Sequence, residues 1–252
     1  MNDTPTGRAT VGQFEKFICW GDSHGDHVDR GALVALEKHI ADFKPKHRIC
    51  LGDAFDFGAL RQGISNSESE KYDDLVSDWT AGMMMLTRTK PTVFLNGNHE
   101  YRMYRVAAEG VGLYKEYAKD GVKRLERELR KLGAKVYPYH HEHGVHRIRR
   151  VAFVHGYTAN MASVKQHAEI YAEPGGAVLM GHLHRLESVN AIRHGGAKGY
   201  SCGMLADKTK LLYAAHRTAT ARWENGWCYG LIGKKGFKVW TAEKVEGTWL
   251  TL

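Results

Sequence analysis

Five short apolar runs in this chain each lead into a block of metal-ligand residues. The runs are Phe17-Ile18-Cys19-Trp20, Ile49-Cys50-Leu51, Val93-Phe94-Leu95, Val151-Ala152-Phe153 and Val178-Leu179-Met180. Apolar runs this short, bounded by glycine, read as buried strands. The blocks are Gly21-Asp22-Ser23-His24, Gly52-Asp53-Ala54-Phe55-Asp56, Gly97-Asn98-His99-Glu100, Val154-His155-Gly156 and Gly181-His182-Leu183-His184. Ligand-type residues therefore stand where buried strands end and loops begin, which is where open α/β sheets build their sites. One such block is within chance; five in register argue for one site.

The donors are Asp, His and Asn, with no thiolate. That mixture suits manganese, iron or zinc better than a closed structural zinc site. Asp22 and His24 are one residue apart, so an extended strand end points both the same way, and His182 and His184 share the spacing. Two divalent ions roughly 3.5–4 Å apart can clamp the attacking and leaving oxygens of a phosphoryl transfer. Such a pair needs one bridging carboxylate and several ligands per ion, and the five blocks supply that number. Each block alone has a plainer reading. A lone His at a strand end is commonly a surface or core residue, Gly-Asp there can be only a turn, and Asp56 can cap a helix starting at Phe57.

Taken together, D-x-H, G-D-x-x-D, G-N-H-E, H-G and G-H-x-H over residues 22–184 resemble the calcineurin-like metallophosphoesterase superfamily. The arrangement is similar to compact stand-alone phosphoesterases of bacterial and phage genomes. The resemblance implies an α/β fold, a four-layer α/β/β/α sandwich of two facing mixed sheets flanked by helices. It implies two divalent ions, manganese first, with iron, zinc or nickel as alternatives. By the same resemblance Asp22, His24 and His184 hold the first ion and Asn98, His155 and His182 the second, with Asp53 bridging. His99 would protonate the leaving oxygen without holding metal, and Asp56 would orient His99. The implied reaction is hydrolysis of a phosphate ester by a hydroxide bridging both ions. Protein Ser/Thr phosphatases of the superfamily carry Asp-Arg at the end of the second block. Here Phe57 follows Asp56, so that clamping Arg is missing, and a monoester dianion benefits most from bidentate Arg. A phosphodiester is therefore the favoured substrate. Arg61, Arg102 and Arg105 are substitutes whose direction the sequence does not fix. The alternatives are a nuclease or nucleic-acid-processing subunit, a phosphomonoesterase or protein phosphatase, and a scaffold that has lost catalysis. The last would have a broken ligand set. No Gly-x4-Gly-Lys-Ser/Thr loop occurs, so any ATPase partner would be a separate chain.

The 252 residues fit one domain, 1–252, with a cap-like helical insertion around 100–136 and a β-rich part over 187–252. Helices are expected over 29–43 and 67–87. The second carries an apolar stripe of Tyr72, Leu75, Val76, Trp79, Met83 and Leu86, with the Met83-Met84-Met85 run filling core. Asn225-Gly226 predicts a hairpin between strands over 218–223 and 227–232, and Lys234-Lys235-Gly236 another turn. Net charge is +8 with a pI near 9.2. Much of it lies over 123–150, in Lys123, Arg124, Arg127, Arg130, Lys131, Lys135, Arg147, Arg149 and Arg150. That stretch is either a nucleic-acid contact or a solvated face offset by Glu126 and Glu128. His140, His141 and His143 read as a solvated connection before a strand, with metal binding the competing account. The polar first residues suggest no secretory signal, no stretch reaches membrane-span length, and Cys19, Cys50, Cys202 and Cys228 show no disulfide spacing. A cytoplasmic enzyme without a membrane partner is the expectation. The oligomeric state is not legible.

Overall fold

The computed structural model describes residues 14–61, 74–211 and 218–251. The expected helical residues 67–73, with Tyr72, lie outside the described residues. All five apolar runs are strands: β1 (Glu15–Trp20), β2 (His47–Cys50), β3 (Val93–Leu95), β6 (Val151–Val154) and β7 (Ala177–Met180). Completing the order, β4 is Lys135–Tyr137, β5 His146–Ile148, β8 Leu186–Ala191, β9 Ala197–Cys202, β10 Gly226–Ile232, β11 Phe237–Val245 and β12 Thr248–Leu250. A seven-stranded mixed sheet runs β12-β11-β10-β1-β2-β3-β4, and a five-stranded mixed sheet runs β5-β6-β7-β9-β8.

Alternation along the strands decides the layering, because successive side chains face opposite sides of a sheet. Phe17, Cys19, Ile49, Leu51, Val93 and Leu95 meet Val151, Phe153 and Leu179 of the second sheet in one buried cluster. Phe17 and Phe153 touch edge to face across this gap, with centroids 5.5 Å apart. Ile18, Trp20, Cys50 and Phe94 instead face helices α1 (Arg30–Phe43), α2 (Leu75–Thr89), α3 (Asn98–Glu109) and α4 (Gly112–Lys131). On the far side, Ala152, Val154, Val178 and Met180 pack on α5 (Ser163–Tyr171). The result is helices, sheet, sheet, helix: the four-layer sandwich expected from the motifs.

Helix α1 begins where Asp29 accepts from the N–H groups of Gly31 and Ala32, and it ends on Lys44 in the left-handed conformation. Helix α2 corrects the expected stripe. Val76 is 71% exposed and Met84 faces solvent, whereas Asp78, Trp79, Met85 and Leu86 are buried. The helix is turned so that Gly82 meets the Phe55 ring, where an added Cβ would lie 2.4 Å from Phe55 Cδ1. Over 100–136, where the sequence suggested a cap-like insertion, α3 and α4 send Met103, Val106, Ala118, Leu125 and Leu129 into the helix-side core. Strand β4 then pairs parallel to β3 at the sheet edge.

The hairpin expected at Asn225-Gly226 is not formed. Thr218–Arg222 is a 3₁₀ turn, and β10 pairs with β1 and β11. The Asn225 amide donates to the carbonyls of Met204 and Ala206, so this residue ties down a loop and makes no tight turn. The hairpin closes one strand later, at the Lys234-Lys235-Gly236 turn, with Gly233 N–H on the Gly236 carbonyl at 2.8 Å. Among the described residues no helix is long and apolar enough to cross a membrane.

Candidate metal centre

The segments after β1, β2, β3, β6 and β7 meet at one edge of the sandwich and carry every candidate residue, Asn98 and His99 as the first residues of α3 and the others on loops. The expectation that Asp22/His24 and His182/His184 share a side because the strand end is extended is wrong. Asp22, His24, Asp53, His182 and His184 have φ of 56°, 49°, 50°, 69° and 58°. Left-handed backbone is costly for such residues and concentrates where a site over-determines it. Here cross-loop bonds hold it: Asp22 N–H donates to the Gly52 carbonyl and His24 N–H to the Asp53 carbonyl, both at 3.0 Å.

Two donor groups result. Asp22, His24 and His184 form the first, with His24 Nε2 3.0 Å from His184 Nε2, which lies 3.3 Å from Asp22 Oδ1. Asp53, His155 and His182 form the second. His155 Nε2 lies 3.3 Å from Asp53 Oδ2 and 3.0 Å from Asn98 Oδ1. His24, Asp56 and His99 make a third cluster joined to the first through His24.

The donor chemistry fits divalent cations. His24 Nδ1 faces Asp56 Oδ1 at 3.0 Å, and His155 Nδ1 donates to the Leu51 carbonyl at 2.7 Å. A ring fixed through Nδ1–H presents the Nε2 lone pair, the usual arrangement of a ligating His. His24 Nε2 faces His184 Nε2 at 3.0 Å with a carboxylate beside them, while His184 Nδ1, buried, has no hydrogen-bond partner. A cation bound there would be met by both nitrogens and the carboxylate. The charge states of His24, His182 and Asp53 agree with this; in the metal-free protein that of His155 does not. Burial, then the charge of His99, brings His24 down to about 4, and burial with His155 brings His182 to about 4. Burial works against the ionised form of Asp53, yet the charges of His155 and His99 hold it well below the usual carboxylate range. For His155, burial lowers and Asp53 raises, and the carboxylate wins at about 9.

Asp56 caps no helix: the short 3₁₀ turn Gly58–Leu60 starts from Phe57 without a side-chain cap. Its Oδ1 lies 3.0 Å from Nδ1 of both His24 and His99. His99 is buried, its Nδ1 also within 2.8 Å of the Asp56 carbonyl, and its Nε2 stands 3.8 Å from Asp53 Oδ2. Phe57 points away from the cleft, fully buried and stacked on Phe55 with centroids 5.0 Å apart.

Several residues that hold the site were not legible as such. Glu100, fully buried, accepts from the N–H groups of Asp53, Ala54, Phe55 and Gly97, and so ties the second and third loops together. Asp78 accepts from Asp56 N–H at 2.8 Å and Phe57 N–H at 2.7 Å, while burial raises its carboxyl to about 7. A carboxylate interrupting the apolar face of α2 was the available signal. Trp223, expected as a sheet residue, packs its ring 4.5 Å from that of His184. Arg102 donates to the Asp56 carbonyl at 2.8 Å and places NH2 3.0 Å from His99 Nε2.

The other histidines and the basic stretch lie apart. His140, Glu142 and His143 form a half-exposed cluster, but His140 Nδ1 already accepts from the N–H groups of Glu142 and His143. In the basic stretch, Lys131 and Arg127 share Glu128 at 3.0 and 3.3 Å, Lys123 lies 3.9 Å from Asp120, and Arg124 covers the Trp79 ring at 4.6 Å.

A profile described as calcineurin-like phosphoesterase matches residues 15–201. Among curated proteins none matches. Similar solved structures include a metallophosphoesterase from Sphaerobacter thermophilus, at 14% identity and TM-score 0.45, covering 91% of this chain and 88% of that one. Yfce, a phosphoesterase from E. coli, has 12% identity and TM-score 0.43, covering 94% and 97%. Vps29 from Chaetomium thermophilum has 12% identity and TM-score 0.45, covering 94% and 92%.

Proposed function

The chain belongs to the calcineurin-like phosphoesterase family, and on that premise we propose that it hydrolyses a phosphodiester with the help of two divalent ions. The observation that carries the reading is the pair of buried donor groups at one sandwich edge, each with an imidazole Nε2 turned toward a carboxylate. Asp22, His24 and His184 would hold one ion, and Asn98, His155 and His182 the other. Asp53 would be shared, since its carboxylate lies in the second group and is 3.8 Å from His99 beside the first. Bound divalent ions supply Lewis-acid chemistry, acidifying water into a nucleophile and offsetting charge on the phosphoryl oxygens. Manganese is the first choice for an oxygen- and imidazole-rich donor set.

The chain's own residues do the rest. His99 gives a proton to the leaving oxygen, and Asp56 holds that ring through Nδ1 at 3.0 Å. Glu100 and Asp78 fix the loops that carry Asp53, Asn98 and Asp56. Because Phe57 is turned into the core, residue 57 offers no guanidinium to a monoester dianion, which supports a diester substrate. Nucleic acid is a less supported substrate, because ion pairs on α4 engage much of its basic charge. Four buried thiols without a disulfide support a cytoplasmic location.

The test is metal analysis with an activity panel in Mn²⁺, using an aryl diester, the matching monoester and single-stranded DNA. Two ions per active chain, loss of at least one in Asp53→Asn, and a preference for the diester are expected. One ion or none in an active enzyme would sink the two-ion reading. A monoester kcat/KM well above that of the diester would overturn the substrate choice.

A further inference from the structure

We infer that Arg102 is the phosphate-clamping residue of this site. The inference rests on the phosphoester reading above. Arg102 follows His99 by three residues on α3, so both side chains share one helix face. The guanidinium is held at a defined place: NH1 donates to the Asp56 carbonyl at 2.8 Å, and NH2 lies 3.0 Å from His99 Nε2. The side chain is only 18% exposed.

Its partners give it away. Neither group within hydrogen-bond distance is an anion: one is a peptide carbonyl, the other an imidazole nitrogen. The carboxylate recorded beside it, Asp56 Oδ2, is 3.8 Å from NH1, too far for a hydrogen bond. That carboxylate is already taken by His24 and His99 through Oδ1. A largely buried cation without a hydrogen-bonded anion is costly unless a ligand supplies one. Phosphoryl oxygens form shorter and stronger bonds to Arg than neutral acceptors do.

A phosphate ester entering beside Asp53 and His99 therefore draws NH2 from Nε2 to a non-bridging oxygen. NH1 stays anchored on the Asp56 carbonyl. With one NH1 bond on that carbonyl, the other N–H groups of the fork, NH2 foremost, are left to meet non-bridging oxygens. The guanidinium absent from position 57 is thus replaced from helix α3 and not from the second loop.

Orthophosphate binding to the manganese-loaded protein, followed by calorimetry, tests this without turnover. Arg102→Ala should weaken orthophosphate binding roughly ten- to a hundredfold, the range for a lost charge-assisted bond. Its metal content and melting temperature should match wild type, and Arg102→Lys should recover only part of the affinity because the ammonium lacks the fork. Added guanidinium ion should restore part of the diester kcat/KM in Arg102→Ala. His99→Ala should retain orthophosphate affinity, which separates the clamp from the proton donor. Unchanged orthophosphate affinity in Arg102→Ala overturns the assignment, as does loss of metal in that variant. If wild type binds orthophosphate through Arg102 but hydrolyses no ester, the clamp stands and the hydrolase reading falls. Absence of orthophosphate binding by wild type removes the clamp, and the ester panel then decides the hydrolase reading by itself.

Discussion

Gly181→Ala adds one methyl group to the loop after β7 and should remove the first metal while leaving the fold in place. A Cβ at residue 181 would lie 2.6 Å from Asp22 Oδ2, where ordinary contact begins at 3.4 Å. About 0.8 Å must open, the difference of those two distances. The next neighbours, Leu51 Cβ at 3.5 Å and Asp22 Cγ at 3.6 Å, are already at ordinary distance, so the clash falls on one oxygen. That oxygen cannot swing aside freely. Asp22 is fully buried, and both of its oxygens accept from His182 N–H at 3.0 Å. Metal sites tolerate errors of only about 0.2 Å in ligand distance, so a displacement several times larger should cost most of the affinity at the Asp22, His24 and His184 group. Stability should fall modestly, by about 1–3 kcal/mol, as for an overpacked methyl. The assay is metal content by mass spectrometry alongside urea unfolding of metal-free protein. Retention of both ions with wild-type affinity would refute the reasoning, because it would mean that the Asp22 carboxylate is not needed where it stands. Global unfolding of metal-free Gly181→Ala would equally refute the claim that the clash is confined to one ligand.

Three further outcomes follow from the same geometry. His99→Ala should keep its metal and lose kcat by about 10²–10⁴-fold, least for esters with good leaving groups; loss of metal on mass spectrometry would show that His99 is a ligand. His39 is buried and accepts from Trp227 Nε1–H at 2.8 Å, and burial lowers it to about 4. The unfolded chain therefore takes up this proton first, so stability from neutral His39 is intact above about pH 6.5 and declines toward pH 4, by up to about 3 kcal/mol; urea unfolding of His39→Gln should lack that slope, and equal slopes in both proteins would contradict it. Arg127→Ala with Arg130→Ala should leave the salt dependence of DNA binding unchanged, since Glu128 already engages Arg127; a slope flattened by roughly one to two units would restore the nucleic-acid surface.

Much of the fold was readable because the five apolar runs are buried on both faces. Phe17 and Cys19 serve one core and Ile18 and Trp20 another, so no residue in the run needs to be polar, and the run announces itself. The donor positions were readable for a related reason: nothing but a ligand or a turn calls for Asp or His at so many strand ends. What failed was anything decided by a distant partner. Asn225-Gly226 has the composition of a tight turn, yet β10 is claimed by β1 on one side and β11 on the other, and the Asn side chain is claimed by the 204–206 loop. The α2 stripe misplaced Val76 because Asp78, a poor core residue by composition, is buried to receive the N–H groups of Asp56 and Phe57. The spacing rule for Asp22 and His24 also gave a right neighbour for a wrong reason. Their side chains meet in the same donor group through left-handed turns laced to the next loop, a conformation that alternation along a strand does not describe.

Arg102 marks the boundary of what a sequence pattern carries. A motif records residues that sit at fixed offsets from one another, so a guanidinium moved from position 57 to the face of α3 reads only as a loss. In space the two positions flank the same carbonyl, that of Asp56, and a helix that begins at Asn98 delivers its fifth residue to it. Phe57 is then free to be a core residue, and its left-handed backbone and its stacking on Phe55 follow from that role. On the proposal above, a phosphate would be met by a guanidinium that the Asp56 carbonyl holds in place, and not by a residue of the second loop.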